Sequence, residues 1–140
     1  MRIFLIRHGE ASHELTTTGQ RQISAAADFL KSLELDLSKT IIITSKLPRA
    51  VESATIIQKA MGLAEPLQKS WLTNGVPESA FDGLAGFATE HSDLATIIAV
   101  SHAPKIERIL SEFKFYRGVR NGSVHEIDFQ TKMVTHLFPS

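Results

Sequence analysis

The 140-residue sequence contains no cysteine. That excludes a disulfide scaffold, a zinc–thiolate site and a cysteine nucleophile, and it fits a reducing compartment. Net charge is also lacking, with 15 lysines and arginines against 15 aspartates and glutamates. A neutral chain has no bulk field to hold nucleic acid or an anionic membrane, so neither is expected as a partner and any anion site must be local. No run approaches the ~18 apolar residues of a membrane span. The start, "MRIFLIRHGE", has only four consecutive apolar residues, too few for a secretory signal. A cytoplasmic protein is expected. Repeats, low-complexity tracts and linkers are missing too. With 43% hydrophobic and 21% charged residues, the chain reads as one ordinary globular domain over 1–140.

Three apolar, β-branched runs stand out: "IFLI" (3–6), "IIIT" (41–44) and "TIIAVS" (96–101). They are nearly continuous rather than alternating, as in strands of a parallel sheet buried on both faces. Helical spacing lies between and after them. Ile23, Ala26, Ala27, Leu30 and Leu33 form one stripe, which Thr17 and Gln20 open as a capping box. Leu47, Val51, Ala54, Ile57 and Met61 form a second, with Pro48 in its first turn and Gly62 as its stop. Phe81, Leu84, Ala85 and Ala88 mark a third helix; Ile106, Ile109, Leu110 and Phe113 mark a fourth, with Pro104 in its first turn. A short strand is expected at "SWL" (70–72). "SVHEIDF" (123–129) and "KMVTHLF" (132–138) read as a hairpin at a sheet edge. The fold class is therefore α/β: three layers, a mostly parallel central sheet and an antiparallel edge hairpin.

In open parallel sheets, ligands bind beyond the carboxyl ends of the strands. Arg7, His8 and Gly9 follow the first strand, and "SKLPR" follows the second, putting Arg49 in the next helix's first turn. "SHAP" follows the third, with His102 before a helix start. Two arginines and two histidines are thus expected on one edge, where cations and helix N-termini favour a phosphate-sized anion. Gly9 is expected to let the backbone turn sharply and approach a ligand closely.

These segments resemble the histidine phosphatase superfamily, also called phosphoglycerate mutase-like. "RHG", "LTTTGQRQ" (15–22), "SKLPRAVESA" (45–54) and "VSHAP" (100–104) correspond to its Arg-His-Gly, Leu-Thr-x-x-Gly-x-x-Gln, Ser-x-x-x-Arg-Ala and Gly/Ser-His-x-Pro motifs, in order. "NGSVHEIDF" (121–129) resembles its closing strand. The resemblance implies a phosphoglycerate mutase-like fold and a phosphatase in which His8 forms a covalent phosphohistidine. Arg7, Arg49 and His102 would hold the phosphoryl oxygens, and no metal or other cofactor would be needed. The chemistry agrees with this: phosphoryl transfer needs positioning and charge neutralisation, neutral imidazole is a good nucleophile at pH 7, and arginine matches phosphate oxygens bidentately.

Only about fifty residues separate "SKLPR" from "SHAP", leaving little for a lid over the site. An open site suits a phosphate presented on a protein surface. With Ala11 after "RHGE", the compact pattern looks like the SixA-type phosphohistidine phosphatases. Mutase-like members commonly have Ser or Thr at position 11 and Asn at 14, whereas this chain has Ala11 and Glu14. The leaving group points the same way. An alcohol of pKa near ~15.7 leaves against a gap of about nine units from pH 7, on the order of 12 kcal/mol, so it needs a general acid. Phosphohistidine releases neutral imidazole and needs much less help. Glu78, then Asp82, are the candidate acids, although an acidic residue after Pro77 also suits a helix's first turn.

The leading expectation is a phosphatase acting on phosphohistidine in a protein, such as a histidine phosphotransfer protein of bacterial signalling. A small-metabolite phosphomonoesterase using the same pocket is the alternative, and a non-catalytic phosphate-binding module is a third. His13, His91 and His136 read as solvated, and His125 as structural. Lys114, Arg117 and Arg120 in "FKFYRGVRNG" (113–122) form either a solvated loop or a dock for an acidic protein.

Overall fold

Strand β4, Thr96–Ser101, is buried along its whole length and lies between two parallel partners, β1 (Arg2–Arg7) and β2 (Thr40–Thr44). The computed structural model, which describes residues 1–139, extends this centre to six strands in the order β3-β2-β4-β1-β5-β6. β3 (Leu67–Gln68) is a two-residue parallel edge. β5 (Val124–Asp128) and β6 (Met133–Phe138) are the expected antiparallel hairpin. At its base Arg2 clamps Glu126 through two nitrogens, at 2.8 and 3.0 Å, tying β1 to β5.

Apolar side chains alternate between the two faces and make two cores. Phe4, Ile6, Ile42, Ile98 and Val100 meet α1 (Thr17–Ser32) and α2 (Pro48–Met61) through Ile23, Leu30, Ala54 and Ile57. Ile3, Leu5, Ile43, Ile97 and Ala99 meet α3 (Ala80–Glu90) and α4 (Lys105–Ser111) through Leu84, Phe87, Ile106 and Ile109. The result is the expected α/β/α layering, held by burial of both sheet faces.

Several boundaries differ from the sequence reading. The cap of α1 is Thr16, one residue earlier than expected, and its side chain accepts from the Gly19 amide at 3.0 Å. Both threonines suit a cap, so only backbone geometry decides between them. Residues 70–72 form a 3-10 turn and not a strand, because the Leu72 and Thr73 amides turn back to Lys69 and Ser70. The short strand lies just before it. Pro104 caps α4 rather than sitting in its first turn, and Phe113 falls beyond the helix end.

Gly9 is needed for a reason other than the expected one. Its φ is not positive, and a Cβ there would overlap the Gly19 carbonyl, while a Cβ at Gly19 would overlap the Glu10 carbonyl. The two glycines let the β1–α1 loop lie directly on the first turn of α1. Gly9→Ala and Gly19→Ala should each cost about 1–3 kcal/mol through forced backbone movement. Gly86→Ala on α3, where a Cβ meets nothing within 4 Å, should be neutral or stabilising. Urea denaturation of the three variants checks this.

Candidate functional site

The ends of the central strands are pinned to one level. Arg7 pairs with Ser101, the His8 amide bonds the Ser101 carbonyl at 3.1 Å, and the Ser45 amide bonds the Val100 carbonyl at 3.0 Å. The chain after β1 leads to α1 on one face, and the chain after β4 leads to α4 on the other. The carboxyl ends of these two neighbouring strands are therefore the crevice position, where such sheets usually hold ligands.

His8 and His102 meet there, with ring centroids 4.9 Å apart at 62°. Both are buried. Arg7 and Arg49 come close enough for their charges to depress the basicity of both rings. All four expected residues are thus brought together.

His8 Nδ1 lies 2.7 Å from the Gly9 carbonyl oxygen. A carbonyl only accepts, so Nδ1 carries the proton and Nε2 keeps a lone pair. Burial, Arg49 and Arg7 hold the ring below its ordinary pKa, outweighing the opposite pull of the bond to Gly9. His102 is pushed down further, to about 3, first by burial and then by His8, Arg49 and Arg7. Both rings are therefore neutral near pH 7.

The supports of these side chains were not legible in the sequence. Ser45 Oγ lies 2.6 Å from His102 Nε2 and accepts from the Leu47 amide at 3.1 Å. Ser53 Oγ accepts from the Gly9 amide at 3.1 Å and donates to the Arg49 carbonyl at 2.8 Å. Arg7 donates to the Val119 carbonyl at 2.8 Å, and Asn121 donates to the His8 carbonyl at 3.1 Å. Ser45 and Ser53 sit inside the quoted motif segments, but nothing in the sequence says which atom each would hold. Two buried atoms of the crevice, Arg7 Nε and His102 Nδ1, have no partner.

Glu78 is exposed, and its carboxylate accepts from Ser70 at 3.3 Å. Asp82 is exposed in the first turn of α3, whose cap is Ser79. Neither is brought into the four-residue cluster. His13 and His136 are exposed, as expected, whereas His91 is half-buried against Phe87. His125 is buried and stacks on His136 at 4.5 Å. Among the described residues, no three His, Asp or Glu side chains gather closely enough to hold a metal ion, and no helix is long and apolar enough to cross a membrane.

A family model described as "Histidine phosphatase superfamily (branch 1)" matches residues 3–86. The chain belongs to the histidine phosphatase superfamily. No curated protein matches the sequence. Among solved structures, the protein histidine phosphatase SixA complexed with tungstate has a TM-score of 0.81 at 17% identity, covering 99% of this chain and 95% of that one. A putative phosphohistidine phosphatase SixA from Agrobacterium tumefaciens scores 0.73 at 15% identity, covering 97% and 95%. The alpha-ribazole phosphatase from Shigella flexneri also scores 0.73, at 17% identity, covering 98% and 95%. At these identities the likeness is one of fold. By name these three are phosphatases of differing substrate.

Two buried histidines make a pH prediction. His102, near 3, and His125, lowered to about 4 by burial and then by His136, stay neutral where an unfolded histidine of pKa 6.5 takes a proton. Their contribution to stability is fully present above about pH 6.5 and is lost as pH falls through the window down to these values. The urea midpoint should therefore fall between pH 7 and pH 4. His125→Phe should flatten that fall, since the carboxylates remain unchanged in the variant.

Proposed function

We propose that this histidine phosphatase superfamily member is a metal-independent phosphohistidine phosphatase of the SixA type, with His8 as nucleophile and Arg7, Arg49 and His102 as phosphoryl-holding groups. The observation that carries the reading is a neutral His8, Nδ1 protonated, set beside His102 and two arginines in one crevice.

In the first step His8 Nε2 attacks phosphorus as the substrate N–P bond breaks. The leaving imidazole, protonated on its other ring nitrogen, departs neutral. Water then attacks phosphorus, the Nε2–P bond breaks, and neutral His8 and dihydrogen phosphate are released. The bond from Nδ1 to the Gly9 carbonyl aligns the ring and supports positive charge on it while phosphorus is attached. Arg7 and Arg49 neutralise the phosphoryl oxygens. The unpartnered Arg7 Nε and His102 Nδ1 are available to an oxyanion, which would remove the cost of leaving them unpaired.

The choice of phosphohistidine rests on the leaving group. The segment between β2 and β4 is short and pinned down. Ser101 Oγ donates to the Leu72 carbonyl at 2.6 Å, Asn74 to the Ala103 carbonyl at 3.2 Å, and Lys105 to the Glu78 carbonyl at 2.8 Å. It supplies no carboxylate to the four-residue cluster, so a leaving group that needs no acid fits best. The alternative, a small-molecule phosphomonoesterase, draws support from the fold shared with the alpha-ribazole phosphatase and would require Glu78 to move toward the substrate.

With phosphohistidine as substrate and EDTA present, the wild type should turn over. His8→Ala should lose at least about 1000-fold in kcat, and Arg49→Ala about 100-fold. Full activity in His8→Ala would overturn the assigned nucleophile. Steady-state comparison with sugar and nucleotide phosphates decides between the two substrates. Selective loss on alkyl phosphates in Glu78→Gln, with monoesters preferred by the wild type, would favour the monoesterase.

A further inference from the structure

The segment from 114 to 122 connects α4 to β5, and its basic side chains have no part in the phosphoryl chemistry above. It carries Lys114, Arg117 and Arg120 and no acidic residue, in a chain whose charges balance only as a whole. All three are exposed. Among the described residues none of them forms an ion pair; the single pair found is Arg2 with Glu126. The Glu107 carboxylate lies 4.0 Å from where a Gly118 Cβ would be, yet pairs with none of the three. Tyr116 stands among them with 78% of its surface exposed, and Arg117 lies 6.0 Å over the Phe115 ring.

The carboxyl half of this segment is fastened to the phosphate crevice. Val119 is buried and its carbonyl takes the Arg7 guanidinium, the Gly122 amide donates to the Arg7 carbonyl at 2.8 Å, and Asn121 holds the His8 carbonyl. Beside it runs a groove of about 570 Å³ whose walls include Arg7, Arg120, Gln22 and Phe138. Its lining therefore includes both a phosphate-site arginine and a free cation. Glu10 and Glu14, exposed just after His8 and Gly9, carry the reverse sign.

We infer that the 114–122 segment and its groove are a docking face for an acidic protein surface next to the phosphohistidine. The inference rests on the proposed function and names the charge of its partner. Three unpaired cations attract such a surface and steer its approach. Tyr116 supplies a large amphipathic contact at low entropic cost. The exposed Glu10 and Glu14 repel an acidic surface that approaches over their own loop. Because the segment is bonded to Arg7 and His8, a partner held on it presents its phosphoryl group at a fixed distance from the nucleophile.

The test uses three probes with the full chain: phosphoramidate, a short histidine-phosphorylated peptide flanked by Asp and Glu, and its counterpart flanked by Lys. At low salt the acidic peptide should have the lower KM, by roughly fivefold or more, and the advantage should shrink at high salt. Arg117→Glu with Arg120→Glu should abolish that preference through KM while phosphoramidate turnover stays unchanged. The milder pair, Arg117→Gln with Arg120→Gln, should give an intermediate preference. Equal KM for the two peptides, or a preference that survives charge reversal, would overturn the docking face. So would displacement of a labelled unphosphorylated acidic peptide by a single-stranded oligonucleotide of equal charge at the same concentration, which indicates only a general attraction for polyanions. Absence of turnover on every probe would sink the phosphatase reading instead. Binding of the labelled acidic peptide, and its loss on charge reversal, reads the face independently of turnover.

Discussion

The parallel pairing of β1 with β4 sets the height at which the site is built. Arg7 stands opposite Ser101, and the ladder continues one step further as the His8 amide takes the Ser101 carbonyl. Both chains then leave the sheet at the same level, one toward α1 and the other toward α4. Two imidazoles distant in sequence arrive within ring contact because of this alignment. A slip of one residue would turn every side chain of β1 to the other face and carry Arg7 and His8 away from His102. The continuous apolar character of both strands suits a sheet covered on both faces.

Holding polar groups in this position has a physical cost, and the structure meets it with backbone and hydroxyl partners. Ser45 holds His102, Ser53 holds the Gly9 amide, the Gly9 carbonyl holds His8, and the Val119 carbonyl holds Arg7. These bonds fix orientation without adding negative charge, so the field at the crevice stays positive. The same field, together with burial, keeps both rings neutral. A neutral ring among fixed cations keeps its nucleophilic lone pair while its surroundings remain ready for an anion. A loss of stability in acid is expected from buried neutral histidines, since such a ring favours the unfolded chain wherever free imidazole is protonated.

The surroundings of the crevice are asymmetric. Acidic side chains follow the nucleophile's own loop, while the segment before β5 is basic and bonded to the arginine at the end of β1. In a neutral chain such separation acts only at short range. It concerns how a bound partner is turned and has little bearing on gathering ligands from a distance.

The sequence by itself determined the layering, the helix and strand order, the closing hairpin and the four residues that meet in the crevice. Each of these depends on local or periodic information: β-branched runs, stripes at helical spacing, and polar residues directly after strands. Boundaries set by a choice between near-equivalent neighbours were not legible, as with Thr16 against Thr17 or the turn at 70–72. Nor were Ser45, Ser53, Asn121 and the Val119 carbonyl as supports, because a hydroxyl or carbonyl can bond many partners and only three-dimensional proximity selects one. The close approach that requires Gly9 and Gly19 was hidden for the same reason. Tertiary structure alone decided the tautomer of His8, the neutrality of His102 and the attachment of the basic segment to Arg7. The last two arise from contacts between residues far apart in the chain and from burial, and the first from the folded backbone that sets the Gly9 carbonyl against the ring of its own neighbour.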